Sequence, residues 1–246
     1  MTTVGVSSRV PPRDRPAVLL QCVFGFACIA FGFFAISRMV LADASVLIFT
    51  SPVLTFYLGS CMLEERIDPV GLGCALFSGV GVVCVLRPAI IFGSPSGQKA
   101  ASAPMVAVVA AILAAVSQAL LYVCVRRLQS IHSLVVAHYY AVFSVSAAMS
   151  FILIFQPCLT WPSTPSLWAA AVGTGVFAFI GQLALTKGFQ LETAGVAAVM
   201  RYLDVVCVFI WDSVFLHEPV SLWSAVGAII VCASALMSAL RKAEYV

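Results

Sequence analysis

The chain has 246 residues, of which 62% are hydrophobic and only 9% are charged, and its formal net charge is +3. A soluble domain carries about 25% charged residues, so this composition excludes a soluble globular protein and predicts a membrane protein. The small positive charge favours contact with anionic membrane lipid and gives no reason to expect a nucleic-acid partner.

The apolar residues form eight runs, each long enough to cross a bilayer as an α-helix. About 20 helical residues cross the hydrocarbon core, whereas the strands of a membrane barrel alternate over about ten residues. The predicted spans, numbered in chain order, are 16–37, 41–63, 69–87, 104–125, 133–155, 166–188, 194–216 and 219–240. The predicted fold class is therefore an all-α, polytopic membrane protein.

Lysine and arginine are distributed unevenly over the loops between these spans. Eight spans place both termini on one side of the membrane, and that side carries nine of the 13 Lys and Arg residues. These nine are Arg9, Arg13, Arg15, Arg66, Arg126, Arg127, Lys187, Arg241 and Lys242, whereas the opposite side carries Arg38, Arg87 and Lys99. Because cytosolic loops are enriched in Lys and Arg, both termini are predicted to be cytosolic. The predicted location is either the plasma membrane or a membrane of the secretory pathway (endoplasmic reticulum or Golgi).

The first three spans align with the last three, without a gap, when the sequence is shifted by 153 positions (170 − 17). The aligned identities include Ala17 with Ala170, Phe24 with Phe177 and Glu65 with Glu218. Two five-helix repeats explain this offset if the first repeat lacks two helices. Because five is odd, the second repeat enters the membrane from the opposite face, and the repeats are inverted. The predicted organisation is a tail (1–15), a truncated three-helix repeat (16–87), a linker (88–103) and a five-helix repeat (104–246).

Small residues recur at four-residue spacing in the third and eighth spans. They are Gly71, Ala75 and Gly79 in the third span, and Ser224, Ala228 and Cys232 in the eighth. Such stripes let helix backbones approach closely. Packing within the bundle and contact with a second copy in a homodimer are both consistent with them.

Charged residues inside a membrane span are costly and need a physical reason. Arg201 lies seven residues into the seventh span, about 10 Å deep at 1.5 Å per residue, and Asp204 follows one turn later. The i, i+3 spacing puts both on one helix face, where they can pair. One interpretation is that Arg201 meets an anionic substrate while Asp204 holds it or takes a proton. The other is a structural pair that neutralises itself.

Polar side chains on three further spans lie at a depth similar to that of Arg201, about 8–12 Å from the cytosolic end. They are Gln118 on the fourth span, His138, Tyr139 and Tyr140 on the fifth, and Gln182 on the sixth. Together with Arg201 they predict a polar, substrate-binding cavity. The alternative is that each is a separately satisfied buried group.

The second span contains Thr50, Ser51 and Pro52 at mid-depth. Proline removes one helical hydrogen bond and frees the carbonyl of Ile48, which must find another donor within the membrane. This kink either lines a cavity, with Thr50 as a substrate-binding residue, or only shapes the packing.

Several short motifs resemble one family of membrane proteins. In the first half they are Leu41–Ser45 (LADAS), Ser51-Pro52-Val53, Glu64-Glu65-Arg66, Gly79–Val82 and Arg87-Pro88. In the second half they are Gly181-Gln182, Thr186-Lys187, Ala194-Gly195 and Met200–Val206 (MRYLDVV). This pattern resembles the EamA-type drug/metabolite transporter superfamily and is most similar to solute carrier family 35, subfamily G.

The resemblance implies a ten-helix protein that moves a small organic solute by alternating access, and it implies that this chain begins at the family's third helix. The sequence has no HExxH, GxSxG or P-loop motif, so we expect neither an enzyme nor a cofactor, and no metal site. The predicted function is transmembrane transport of a small organic solute, an anion or a metabolite. The alternative is a non-transporting or regulatory membrane protein that associates with a full-length relative.

Overall fold

A computed structural model describes residues 10–64, 68–86, 104–155, 163–215 and 222–244, and the regular structure within these ranges is helical. The helices are α1 (Arg15–Arg38), α2 (Leu41–Ile48), α3 (Ser51–Leu63), α4 (Pro69–Leu86), α5 (Met105–Arg127), α6 (Ser133–Phe155), α7 (Pro165–Leu191), α8 (Ala194–Met200), α9 (Leu203–Phe215) and α10 (Leu222–Glu244). The predicted linker, 88–103, lies outside the described residues, as does most of the predicted N-terminal tail.

The protein is a polytopic membrane protein of helices alone within the described ranges. Seven segments in those ranges are long and apolar enough to cross a membrane, counting α2 and α3 together as one segment, Leu41–Leu63. The remaining predicted span, 194–216, consists of two shorter helices, α8 and α9. The prediction of an all-α polytopic fold is confirmed, and the helix boundaries lie close to those expected from apolar run length.

The second predicted span is not one continuous helix but is broken at Phe49 and Thr50, between α2 and α3. Pro52 lies in the first turn of α3, where its missing amide hydrogen is tolerated. The backbone tightens at the break, because the amide of Thr50 donates to the carbonyl of Leu47 at 3.2 Å. The Thr50 hydroxyl donates to the same carbonyl at 2.7 Å. The kink expected from proline is therefore a full interruption of the helix.

The seventh predicted span is also broken, at Arg201 and Tyr202 between α8 and α9. The amides of Arg201 and Tyr202 donate three residues back, to the carbonyls of Ala198 and Val199, at 3.2 and 3.1 Å. The expectation of one continuous helix was therefore wrong. The span contains no proline that would predict the break. Tight turns of this kind within a membrane-spanning segment often mark a functional hinge.

The two halves of the chain repeat the same helices. Adding 153 to the first residues of α2 and α4 gives 194 and 222, which are the first residues of α8 and α10. The breaks repeat too, since Phe49 and Tyr202 are 153 residues apart. The equivalent helices α4 and α10 pack together and run in opposite directions, since Val85 near the end of α4 contacts Ser224 near the start of α10. The repeats are therefore inverted.

Two glycines bring the backbones of α4 and α10 into contact. A Cβ atom added at Gly81 would lie 2.8 Å from the carbonyl oxygen of Gly227. A Cβ atom added at Gly227 would lie 2.5 Å from the carbonyl oxygen of Gly81. Of the predicted small-residue stripes, Gly71, Ala75 and Ser224 are buried. These helices therefore use small residues for packing within the bundle.

The best-buried helix is α5, and most of the other helices pack on it. Its apolar window is 61% buried, against 28% for α1, which lies along it. The contact face of α5 is built from small residues, with Ala107, Ala111, Ala114, Ala115 and Ala119 all fully buried. Because alanine allows close helix approach, α5 forms the centre around which α1, α2, α3 and α7 are arranged.

The helix α7 is anchored mainly through its C-terminal end. Only 6% of its apolar window is buried, and the large side chains along it face outward. At the anchored end, Gln190 donates two hydrogen bonds through Nε2, to the carbonyls of Leu128 at 2.8 Å and Ile131 at 2.9 Å. Arg126 donates to the carbonyl of Gln190 at 2.8 Å. These bonds fasten the turn between α5 and α6 to α7.

We expect Gln190→Leu to destabilise the protein by about 1–3 kcal/mol, because the carbonyl of Ile131 would lose a donor and that of Leu128 would keep only the amide of Ile131. Gln129→Leu is the matched control, since Gln129 is an exposed residue of the same turn. Thermal unfolding of both purified variants in detergent gives the measurement. Equal unfolding temperatures for the two would contradict the role assigned to Gln190.

Candidate functional site

The candidate site is centred on an ion pair at the break between α8 and α9. The guanidinium of Arg201 contacts the carboxylate of Asp204, as the i, i+3 spacing predicts. The two side chains are 32% and 48% exposed, so the pair lies partly open rather than sealed in the core. A charge pair that is accessible inside a membrane bundle is expected to face a polar cavity.

A chain of hydrogen bonds connects this ion pair to two other helices. Ser51 of α3 donates to Oε1 of Gln118 on α5 at 2.8 Å. The Nε2 atom of Gln118 donates to the hydroxyl of Tyr122, one turn further along α5, at 2.7 Å. The Tyr122 hydroxyl also accepts a hydrogen bond from the guanidinium of Arg201. Both helix breaks therefore supply residues to one continuous polar network.

Apolar and weakly polar side chains form the walls of this network. The ring of Tyr122 stacks on Phe189 of α7, with ring centroids 4.2 Å apart and an angle of 17° between planes. On the side of α1, Cys28 is close enough to interact electrostatically with both Arg201 and Tyr122. Stacking fixes the position of the Tyr122 hydroxyl, and through it the direction in which the guanidinium of Arg201 points.

Arg201 retains a hydrogen-bond donor that the protein does not use. Its Nε atom is buried and has no hydrogen-bond partner within the described residues. A buried guanidinium N–H without an acceptor is unfavourable, so an acceptor brought in by a ligand would be stabilised there. Because the guanidinium presents its donors in one plane, a carboxylate or phosphate is the group that matches this geometry best.

The three predicted residues of α6 do not lie together. His138 and Tyr139 are exposed on the outside of the bundle, where their rings contact each other edge to face at 6.2 Å. Tyr140 faces inward and is close enough to Cys28 of α1 to interact electrostatically with it. It also packs against Gly25, where an added Cβ would collide with its ring. Of the three, the structure brings only Tyr140 towards the polar network.

Thr50 and Gln182, two further residues predicted to bind substrate, lie outside the hydrogen-bond network around Arg201. The hydroxyl of Thr50 bonds to the carbonyl of Leu47 in α2, and Thr50 borders a cavity of about 340 Å³ with Phe49 and Tyr202. Gln182 is half-buried on α7, and its Nε2 atom has no hydrogen-bond partner within the described residues. No contact joins either residue to Arg201 in the part of the chain that the structure describes. As substrate-binding residues, both remain predictions.

Sequence reasoning did not select Ser51 as a binding residue and missed Tyr122 altogether. Two signals in the sequence point to them. Tyr122 follows Gln118 by four residues, which puts both on one helix face. Ser51 is the equivalent of Asp204 in the first repeat, since 51 + 153 = 204. The same position in both repeats therefore contributes to the network.

A larger cavity, of about 930 Å³, lies between α1, α5 and α6 and has a different character. Aromatic and aliphatic side chains line it, among them Phe26, Phe34, Leu113 and Phe151, and Ser37 is the one hydroxyl at its wall. None of the described residues that line it carries a charge that would orient a polar solute. We therefore place the candidate site at Arg201 and not in this cavity.

Comparison with known proteins gives a consistent picture. The EamA-like transporter family matches residues 3–87 and 105–240. Human solute carrier family 35 member G1 is 30% identical over 236 residues, which cover 94% of this chain and 64% of the human protein. A probable transport protein of Saccharomyces cerevisiae is 27% identical over 239 residues, covering 92% of this chain and 68% of the yeast protein.

A bacterial relative and a crystal structure extend this comparison. The pseudopaline exporter of Pseudomonas aeruginosa is 29% identical over 228 residues, covering 92% of this chain and 76% of the exporter. One protein of known crystal structure superimposes with a TM-score of 0.80 at 23% identity, covering 95% of this chain and 78% of that chain. That likeness concerns the fold alone.

This chain spans less than two thirds of the length of its human relative. The family match nevertheless covers both of its halves and most of its residues. The inverted helix repeats and the membrane-length segments agree with that match. This protein belongs to the EamA-like transporter family.

Proposed function

We propose that this protein carries a small organic solute with an anionic group across a membrane by alternating access, and that Arg201 binds that group. The observation that carries the proposal is the polar network around Arg201, inside a membrane bundle and at the meeting point of both broken helices. Substrate sites of inverted-repeat transporters lie at the repeat interface, where interrupted helices expose polar backbone. The family membership supports the same reading.

The ion pair gives a physical account of binding. Without solute, Asp204 neutralises Arg201, so the site bears little net charge in the membrane. An incoming carboxylate or phosphate competes with Asp204 for the guanidinium and takes up the free Nε donor. Asp204 is then released to bind a proton or a cationic group of the solute. Gln118 and Tyr122 hold the guanidinium in place during the exchange.

The relatives support a small organic solute as cargo. One is named as a solute carrier and another as an exporter of pseudopaline. We propose that both termini are cytosolic, since the Lys and Arg residues favour that side, and that the membrane is the plasma membrane or one of the secretory pathway.

Reconstitution in lipid vesicles tests the proposal. We expect the purified chain to take up at least one radiolabelled carboxylate or phosphate ester from a panel, with saturation and with competition by unlabelled solute. Vesicles containing denatured protein give the background. Saturable uptake that is confined to cationic or neutral solutes would contradict the role assigned to Arg201, and no uptake of any solute would contradict transport by this chain.

The proposed cytosolic location of both termini has a separate test. We expect tags placed before residue 10 and after residue 244 to react with antibody only when cells are permeabilised, because both ends are proposed to face the cytosol. A tag that is accessible on intact cells, at either end, would overturn this topology. A tag inserted in the 88–103 segment is the control, since it is proposed to face the other side.

A second candidate function is favoured by the exposed surface of α7. If this chain acts as a partner of a full-length relative, that surface would contact the relative within the membrane. The expected result is no uptake by this chain alone and a changed uptake rate when the human relative is reconstituted with it. Unchanged uptake by the relative would rule out this second function.

A further inference from the structure

Two residues that are equivalent in the repeats touch each other. Phe49 and Tyr202 are 153 residues apart, the offset that relates the two repeats. The hydroxyl of Tyr202 donates to the carbonyl oxygen of Phe49 at 3.0 Å, and their rings lie 6.3 Å apart. Each residue belongs to the break in its own membrane-spanning segment, so the two interruptions are joined directly.

A contact between equivalent residues lies on the axis that relates the repeats. A half-turn about this axis exchanges Phe49 with Tyr202 and returns the contact to its own position. The equivalent helices α4 and α10, which pack against each other in opposite directions, place the axis in the same part of the bundle. When two inverted repeats exchange conformations, the opening moves to the other side of the membrane. Residues 49 and 202 remain next to each other on the axis during this exchange.

Only Tyr202 donates a hydrogen bond at this contact, and Phe49 donates none in return. This asymmetry arises because the sequences of the repeats differ at two equivalent positions. In the second repeat, the amide of Val205 donates to the carbonyl of Tyr202 at 3.1 Å. The equivalent of Val205 is Pro52 (205 − 153), which has no amide hydrogen. The carbonyl of Phe49 is therefore left without that donor.

The neighbouring amide does not replace it. In an unbroken α-helix the amide of Val53 would donate to the carbonyl of Phe49, but here it donates to the carbonyl of Thr50 at 3.1 Å. A backbone carbonyl inside a membrane needs a donor, and the Tyr202 hydroxyl supplies it. Tyr202 itself is fully buried, which holds its hydroxyl at this carbonyl.

We infer that Tyr202 and Pro52 together set which side of the membrane the Arg201 site faces at rest; this inference rests on the proposed transport function. The reciprocal hydrogen bond, from residue 49 to the carbonyl of Tyr202, cannot form because Phe49 has no hydroxyl. If the two repeats exchanged conformations, the bond from Tyr202 to the carbonyl of Phe49 would have to be replaced by a bond from residue 49 to the carbonyl of Tyr202. The existing bond therefore stabilises the conformation described here over the one in which the two repeats have exchanged conformations.

Tyr202→Phe tests this inference, because it removes one hydroxyl and keeps the ring contact. The reporter is Cys28, beside Arg201, in a variant whose other cysteines are replaced by alanine. A membrane-impermeant thiol reagent is added to one face of the vesicles or to the other, and the two labelling rates are compared. A net hydrogen bond changes an equilibrium by about twofold to tenfold. We expect Tyr202→Phe to raise the ratio of the slower labelling rate to the faster labelling rate by about twofold to tenfold.

Tyr57→Phe is the matched control, since Tyr57 is 65% exposed whereas Tyr202 is fully buried. Pro52→Ala provides a second variant, because it restores an amide donor beside Phe49 and should shift the labelling ratio in the same direction. The double variant should shift it no further than the larger single shift, as expected for one shared interaction. An unchanged ratio in both single variants would overturn the inference.

This experiment is separable from the test of transport. Uptake by the unsubstituted protein is measured in the same vesicles and decides the proposed function. The labelling ratio decides the role of Tyr202, whether or not a transported solute has been found.

Discussion

Arg201→Gln is expected to reduce transport of an anionic solute by about ten- to hundredfold, mainly through a higher KM. Hydrogen bonds to a charged group contribute about 1.5–3 kcal/mol, and each 1.4 kcal/mol is a factor of ten. The substitution also leaves Asp204 as an unpaired carboxylate, which repels the solute. Initial uptake rates at several solute concentrations, in vesicles of equal protein content, give the measurement.

Lys187→Gln is the matched control for this prediction, because Lys187 is an exposed cation near the end of α7. It removes the same formal charge and should leave KM within about twofold. Arg201→Gln with Asp204→Asn keeps the site neutral and separates solute binding from the loss of the ion pair. Normal uptake by the well-folded Arg201→Gln protein would remove Arg201 from the site.

Gly227→Ala is expected to destabilise the bundle by about 2–3 kcal/mol, the upper part of the range of about 1–3 kcal/mol found when a closely packed interior is overfilled. The added Cβ would lie 2.5 Å from the carbonyl oxygen of Gly81 and 2.8 Å from the amide nitrogen of Val85. Both are backbone atoms, so neither can turn aside as a flexible side chain would. We expect the unfolding temperature in detergent to fall by about 5–10 °C.

Gly173→Ala is the control for this second prediction. Gly173 is in α7, and a Cβ added there would meet nothing within 4 Å. Since alanine favours the helical state by up to about 1 kcal/mol over glycine, this variant should be as stable as the parent or more so. If both variants unfolded at the same temperature, close backbone contact between α4 and α10 would not be what holds them.

The parts of the fold that depend on local sequence were predictable. Apolar run length gave the position of α1 and α4, because a helix rises by a fixed distance per residue. The contact of Arg201 with Asp204 followed from their spacing alone. The missing amide hydrogen of Pro52 predicted a kink in the second span, and the structure has a full break of the helix there.

The parts that depend on how each helix is rotated were not predictable in the same way. A helix that is apolar on all sides carries little periodic signal to say which face is inside. His138 and Tyr139 illustrate this, since their depth was estimated from position but their outward direction was not. The contacts of Tyr122 with Arg201 and of Tyr202 with Phe49 join residues far apart in sequence, and no single helix encodes them.

The ion pair between Arg201 and Asp204 also has a consequence for biosynthesis. During insertion by the translocon, each isolated charge at the centre of a segment costs about 2.5–3.5 kcal/mol. Because these two charges are three residues apart and of opposite sign, the 194–215 segment can leave the translocon with the pair already formed. The nascent chain thus carries Arg201 into the bilayer already neutralised by Asp204.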